Sequence, residues 1–419
     1  MGVVPWPHHN RDLSLISVAG FLRSFGTALL GVVLGIYLSR QGYSPLFVGT
    51  FIACGLAGSA VATSVVGFAA DRLGRRCSLI ILTILTSLGG LGLALTPGPR
   101  LLLLLMFVGM LNATGTDRSA SYALEQAVIP SLVPDSRRTW VLAVYNLLID
   151  GGGSLGALAA GLPLLIQQHF GMGLFAAYKL VFLGFAAISV LIAALYWFLS
   201  PAIEVDGPTP GLKAQRIAPE SKRIIAKLTA LFSLDAFGGG FLTDALVSYW
   251  FFRRFGIAEH DLGLVFFFVH LLNAGSHLVA AWLARRIGLL NTMVFTHLPS
   301  SLFLMAVPFA PSVKWAIVFF FCREALVEMD VPTRQSYVAA VVRPSERTVV
   351  SSFTNLARNV FWAIGSAVAG FSMQNFSFSA PLLLGGSAKI LYDVLLFRSF
   401  RALKPPEELD PAGVPGTQH

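Results

Sequence analysis

Twelve apolar stretches punctuate this chain, at roughly 13–39, 45–70, 77–96, 100–127, 139–167, 173–200, 224–252, 261–284, 289–309, 314–338, 347–373 and 379–400. Each is long enough to cross about 30 Å of hydrocarbon as a helix. Lipid offers backbone N–H and C=O groups no partner, so helices are the form such stretches take. The pattern predicts an all-α polytopic membrane protein of 12 transmembrane helices in two pseudo-symmetric six-helix bundles. Its polar intervals set the expected layout: an N-terminal segment 1–12, a first bundle 13–200, a linker 201–222 rich in Pro, Gly and charge, a second bundle 223–400, and a tail 401–419. The first apolar run is too long for the core of a signal peptide.

The halves repeat. Ser136-Arg137-Arg138-Thr139 matches Ser345-Glu346-Arg347-Thr348 at an offset of 209, which also brings Asn146 onto Asn355, Gly156 onto Gly365 and Gly161 onto Gly370. Gly42, Gly49 and Gly74 meet Gly256, Gly263 and Gly288 at an offset of 214, and Lys179 meets Lys389 at 210. Repeats in the same orientation are expected when each half holds an even number of spans.

Composition agrees with the hydropathy. Apolar residues make up 55% of 419 positions and charged residues only 12%, too few to cover a water-facing surface. With both termini inside, eighteen Lys and Arg fall on the inner side and five on the outer, which predicts cytoplasmic termini. The net charge of +9 then reflects topology, and no nucleic-acid partner is expected. The expected setting is a bacterial inner (plasma) membrane, with membrane lipids around a monomer. Cys54, Cys77 and Cys322 have no paired spacing, so neither a disulfide framework nor a thiolate metal site is expected.

The loop between spans two and three reads Gly67-Phe-Ala-Ala-Asp71-Arg72-Leu-Gly74-Arg75-Arg76. It resembles the signature of the major facilitator superfamily, Gly-x-x-x-Asp-Arg-x-Gly-Arg-Arg, with every defining position present. The resemblance implies a conformational latch made of Gly67, Asp71, Arg72, Gly74, Arg75 and Arg76, which holds the halves in the outward-facing state. Physically, Gly67 would let helices pack closely and Gly74 would permit the tight turn. Asp71 could accept from the N-terminus of a neighbouring helix. In the second half Arg285 aligns with Asp71, so that copy of the latch is degenerate. Antiporters of the family often carry a Gly-Pro-rich motif in span five. Here Asp150-Gly151-Gly152-Gly153-Ser154-Leu155-Gly156 is rich in glycine but lacks the Gly-Pro order.

Charge inside a span is costly, about 2.5–3.5 kcal/mol at a helix centre on insertion scales, so it marks function or internal pairing. The candidates for substrate binding or coupling are Arg23 in span one, Asp117 and Arg118 in span four, Asp150 in span five, and Asp235 and Asp244 in span seven. Arg323, Glu324, Glu328, Asp330 and Arg334 in span ten, with Arg358 in span eleven, complete them. The family resemblance implies that spans one, four, seven and ten line a central cavity, where most of these residues fall. Arg23 and Asp235 are equivalent in the repeat, because Phe25-Gly26 aligns with Phe237-Gly238 at an offset of 212. They are expected to oppose each other, as a salt bridge or as facing substrate contacts. Glu324 and Glu328 share a helix face, as do Asp330 and Arg334, and the second pair reads as internal compensation. Acids without such compensation could carry a proton, since burial disfavours the charged form; Asp235, Asp244 and Glu328 are candidates. Glu125, Lys179, Lys389 and Asp393 are also charges within spans; the two lysines read as structural, capping or snorkelling. His270 and His277 lie on one face of span eight, about 10 Å apart along the axis, and His297 reads as a lone polar residue.

The expected function is a secondary active transporter that moves a small organic solute by alternating access, as a proton-coupled exporter. The alternatives are uptake or exchange of an organic anion, motivated by Arg23, Arg118 and Arg358, and a non-transporting receptor or lipid scramblase on the same scaffold. No enzyme activity, cofactor or metal is expected; a proton or other ion gradient would supply the energy.

Overall fold

The computed structural model describes residues 11–95, 98–117, 119–204, 219–341 and 347–401. Sixteen α-helices follow one another among them. They are α1 (Arg11–Arg40), α2 (Pro45–Leu73), α3 (Arg75–Leu95), α4 (Pro99–Gly109), α5 (Ala120–Val128), α6 (Asp135–Leu158), α7 (Leu162–Phe170) and α8 (Leu174–Trp197). Then come α9 (Pro219–Gly240), α10 (Asp244–Phe255), α11 (Glu259–Ile287), α12 (Leu289–Ala306), α13 (Val313–Val327), α14 (Asp330–Val341), α15 (Arg347–Asn375) and α16 (Ala380–Phe400). These helices form the 12 transmembrane spans, because four spans are each built from two helices. Nine helical segments among the described residues are individually long and apolar enough to cross a membrane.

The breaks correct one expectation. Spans four, seven and ten read as continuous apolar runs, yet each is interrupted. In span four, α4 stops where Met110 turns left-handed at φ 50, and the chain stays non-helical through Asp117. Asn112 supports this stretch: its Oδ1 accepts from the Thr114 backbone N–H at 2.9 Å, and its Nδ2 donates to the Thr116 carbonyl at 2.8 Å. Such side-chain bonds let non-helical backbone persist at membrane depth. Ser119 then caps α5 by accepting from the Tyr122 N–H. Span seven breaks between Gly240 and Asp244, where Thr243 caps α10, and span ten breaks at Glu328 and Met329. Hydropathy averages over a window, so it passes through the short gaps of spans seven and ten and through the longer, largely apolar or small-residue stretch of span four.

The described residues fall into two units. One draws on Met1–Gly211 with Thr243–His270, the other on Leu212–Leu242 with Leu271–His419. Leu13, Ile16, Val141, Tyr145 and Tyr196 help build the core of the first, and Leu228, Phe232, Tyr337, Tyr392 and Leu396 that of the second. Apolar burial drives helices together weakly in lipid, so close backbone approach carries much of the packing. In the first unit α6 crosses α1 at Gly156, where a Cβ would stand 2.0 Å from the Phe25 carbonyl oxygen. In the second, α15 crosses α9 at Gly365, where a Cβ would stand 2.2 Å from the Phe237 carbonyl oxygen. Both glycines and both phenylalanines are partners in the sequence repeat. The glycine run of span five therefore has a packing role. Large side chains such as Leu278 (78% exposed) and Phe309 (75% exposed) face outward, as lipid-facing residues do.

Candidate functional site

Each unit holds a buried cluster of charge centred on its first span. In the first, Arg23 of α1 reaches between two acids of span four. Its Nε is 2.6 Å from Asp117 Oδ2, and its Nη2 donates to Glu125 Oε2. Arg23 Nη1 also donates to the Tyr196 hydroxyl at 2.6 Å. Tyr145 donates to Glu125 Oε2 at 2.5 Å and Tyr196 donates to Oε1 at 2.6 Å, so Glu125 is fully engaged. The Asp117 and Glu125 side chains are wholly buried and Arg23 is nearly so. Asp117 sits in the span-four break and also accepts from the Ser119 N–H at 3.1 Å, at the start of α5. Its carboxylate thus lies by the positive end of a half-helix.

In the second unit Asp235 of α9 is the centre. Lys389 Nζ of α16 donates to its Oδ1 at 2.8 Å and Arg334 Nη1 of α14 to its Oδ2 at 3.2 Å; Arg358 Nη2 of α15 stands 3.7 Å away. Arg334 also pairs with Asp330 at 2.9 Å. His297 of α12 links the cluster to a further acid: its Nδ1 lies 2.9 Å from Asp393 Oδ1 and its Nε2 lies 3.3 Å from Lys389 Nζ. An ammonium only donates, so in the tautomer that suits both contacts Nε2 accepts from Lys389 and Nδ1 donates to Asp393. Asp235, His297, Lys389 and Asp393 are all buried.

The expected partners are corrected here. Arg23 and Asp235, expected to oppose each other as a salt bridge or as facing substrate contacts, each form their ion pairs within their own unit. His297 is no lone polar residue, because it bridges Asp393 and Lys389. The lysines part company: Lys179 is exposed, as snorkelling requires, whereas Lys389 is buried in an ion pair. Sequence marked Lys389 by its recurrence but named no acid for it, and Tyr196 carried no signal at all.

Of the other candidates, Glu328 acts electrostatically on Arg334 of the second centre. Arg323 pairs with its neighbour Glu324, to which Asn273 also donates at 3.4 Å. Glu328 closes α13 at the span-ten break. Asp150 is half-buried on α6. Asp244 opens α10 and stands 3.6 Å from His270 Nε2. Arg118 and the Asp71 side chain lie outside the described residues.

Around the latch motif, Gly74 adopts φ +90, a conformation that favours glycine. Gly67 has open space where a Cβ would stand, so it does not make the close packing expected of it. Arg72 is exposed. The backbone N–H groups of Arg75 and Arg76 donate to Glu204 at 2.6 and 3.1 Å, so this acid beyond span six caps α3. Arg76 Nη1 reaches the Leu199 carbonyl at 3.1 Å. Glu204 sits in the polar linker, where no periodicity singles it out.

Comparison with known proteins agrees with this architecture. The family model described as Major Facilitator Superfamily matches residues 16–324 and 228–418. A relative, the "Uncharacterized membrane protein YJR124C" of Saccharomyces cerevisiae, is 24% identical over 92% of this chain and 93% of its own length. Among solved structures, a D-xylose-proton symporter superposes with TM-score 0.74 at 15% identity, over 93% of this chain and 97% of its own. A bacterial homologue of the human lysosomal transporter Spinster gives TM-score 0.72 at 16% identity, over 94% and 96% of the two chains. The nucleoside transporter NupG gives 0.70 at 13%, over 93% and 99%.

Proposed function

Since this chain belongs to the major facilitator superfamily, and is on that ground a secondary transporter, we propose that it exports a small organic solute in exchange for protons. The observation that carries proton coupling is the relay in the second unit. Asp393, His297, Lys389 and Asp235 touch in sequence, each within 3.3 Å of the next. A neutral imidazole between a carboxylate and an ammonium can accept a proton at one nitrogen and release one at the other. Among the directly touching groups, Asp235, Asp330 and Asp393 face Arg334, Arg358 and Lys389. An added proton therefore changes the charge balance of a low-dielectric interior, where charge is costly. The cluster must rearrange or shed a cation, which is how proton entry would drive a conformational step. The name of the D-xylose-proton symporter adds that a protein of similar fold is coupled to protons.

Export is preferred to uptake because a compact chain with the full Gly67–Arg76 motif resembles exporters of the family. Uptake of an organic anion is the weaker reading, because Arg23 and Arg358 both face carboxylates within the protein. We place both termini in the cytoplasm, as the Lys and Arg distribution favours.

The test begins with a thermal-shift screen of purified protein against metabolites and drugs, since a ligand that prefers the folded state raises its melting temperature. Flux of the hits into proteoliposomes is then followed under an imposed pH gradient. Proton coupling predicts gradient-driven flux that is lost in Asp235→Asn and His297→Gln. Flux indifferent to the gradient and to both substitutions rules it out.

A further inference from the structure

Thr243–His270 belongs to the second half of the sequence but packs within the first unit. The close approach starts at α10. A Cβ on Gly35 of α1 would stand 2.1 Å from the Ala245 carbonyl oxygen, and the Ala245 N–H donates to the Ala113 carbonyl at 3.2 Å. At the end of α1 opposite the N-terminus a stronger contact closes the arrangement. Arg40 Nε and Nη2 grip Glu259 Oε1 and Oε2 at 2.9 and 3.1 Å, a two-pronged pair. Tyr178 of α8 donates its hydroxyl to the same carboxylate, and the Arg40 guanidinium lies over the Phe252 ring at 4.9 Å. Glu259 is fully buried although it opens a helix at the polar end of the molecule, where an unpaired carboxylate would gain by facing water.

We propose that Arg40, Glu259 and Tyr178 form a latch that closes the transport path on the face opposite the termini and opens once per cycle. The inference rests on the alternating-access reading, in which six-helix halves must part on one face and then on the other. Glu259 is carried by α11 of the second half; Arg40 and Tyr178 are carried by α1 and α8 of the first. Parting the halves on this face therefore separates the carboxylate from its three donors. The latch also explains the glycine at position 35: α10 must come flush against α1 before Arg40 can reach Glu259. Its charge works alongside the basic motif at Gly67–Arg76, which lies at the other ends of the spans. The residues gate the path and need not touch the solute.

The test reads opening directly, with no solute or pH gradient, so its failure is distinct from failure of proton coupling. Ser248 of α10 is wholly buried and lies about one turn beyond Ala245. In a background with Cys54, Cys77 and Cys322 changed to serine, Ser248→Cys reports access to a membrane-impermeant maleimide added on the face opposite the termini. Glu259→Gln should raise the labelling rate about tenfold or more, since a buried charge-assisted pair then no longer favours the closed state. Tyr178→Phe keeps the ion pair and should raise it less, about two- to fivefold. The exchange Arg40→Glu with Glu259→Arg should return labelling towards the parent rate. Thermal melts establish that each variant is folded; if Glu259→Gln is not, Tyr178→Phe alone bears the test. Labelling at the parent rate in the folded variants overturns the proposal, as does an exchange that labels as fast as the single change.

Discussion

Asp235→Asn probes the charge balance of the second unit with almost no change of shape. The substitution removes the negative charge that Lys389 meets at 2.8 Å and Arg334 at 3.2 Å. Arg334 keeps Asp330 at 2.9 Å, so the burden falls on Lys389, which also has His297 Nε2 at 3.3 Å, and on Arg358, 3.7 Å from the lost carboxylate. Breaking one side of a buried ion pair costs about 3–5 kcal/mol. The lower end applies, because the new amide oxygen still accepts from Lys389. At about 2–4 °C per kcal/mol for a unit of this size, the melting temperature should fall by roughly 6–12 °C. The double change Asp235→Asn with Lys389→Met removes the stranded ammonium as well. It should recover at least half of that loss, since apolar replacement of both partners is often neutral. The assay is thermal unfolding in detergent followed by tryptophan fluorescence. A single variant that melts within about 2 °C of the parent would refute the reasoning, as would a double variant whose loss is the sum of the two single losses.

Two further predictions address the first half. Tyr196→Phe takes one donor from Glu125 and one acceptor from Arg23, both buried, and should cost about 1–3 kcal/mol; an unchanged melting temperature would show that the hydroxyl carries no load. Glu204→Ala should cost about 0.5–2 kcal/mol, the usual loss for a helix N-cap. Because Glu204 accepts from the first N–H groups of α3, the loss should appear as faster hydrogen exchange at the Arg75 and Arg76 amides, with exchange in the middle of α3 unaltered.

The scaffold was largely readable from sequence because its constraints act on single residues. Gly42 and Gly256 were matched by the repeat, and both adopt positive φ, at 80° and 68°. Gly74 and Gly288 were matched too, at 90° and 86°. A turn that needs a left-handed residue leaves a glycine behind whether or not its neighbours are known. The clusters were less legible, because an ion pair depends on which spans are adjacent and how each is rotated. The Asp330–Arg334 pair was read from helical spacing, since both members share one helix. Asp235–Lys389 spans 154 positions and Arg40–Glu259 spans 219, and no local period connects either. The broken spans escaped for another reason. Span four keeps its apolar average through Asn112 and Gly115, although the left-handed turn at Met110 and the bonds of Asn112 show that the helix has stopped.

The same repeat accounts for why each half places a charged group at the centre of its cluster, though the two carry opposite signs. Arg23 and Asp235 each lie two residues before the phenylalanine whose carbonyl receives the crossing glycine, Phe25 under Gly156 and Phe237 under Gly365. That crossing fixes the rotation of the helix, so the side chain two positions earlier is directed into its own unit in both halves. Geometry therefore determines that a group stands there, but not its charge, which is set by the surroundings. Arg23 is met by Asp117 and Glu125, and Asp235 by Lys389, Arg334 and Arg358. A duplicated scaffold can invert one centre only if its whole shell inverts with it, because a single change strands a buried charge at about 3–5 kcal/mol. Lys179 and Lys389 follow the same logic: the first lies on the surface and needs no acid, while the second is buried and has Asp235. Backbone symmetry persists because it is enforced crossing by crossing, whereas charge symmetry is free to break wherever the partners change together. It is in the broken part, at Asp235 and the His297 bridge between Asp393 and Lys389, that the two halves differ most in chemistry.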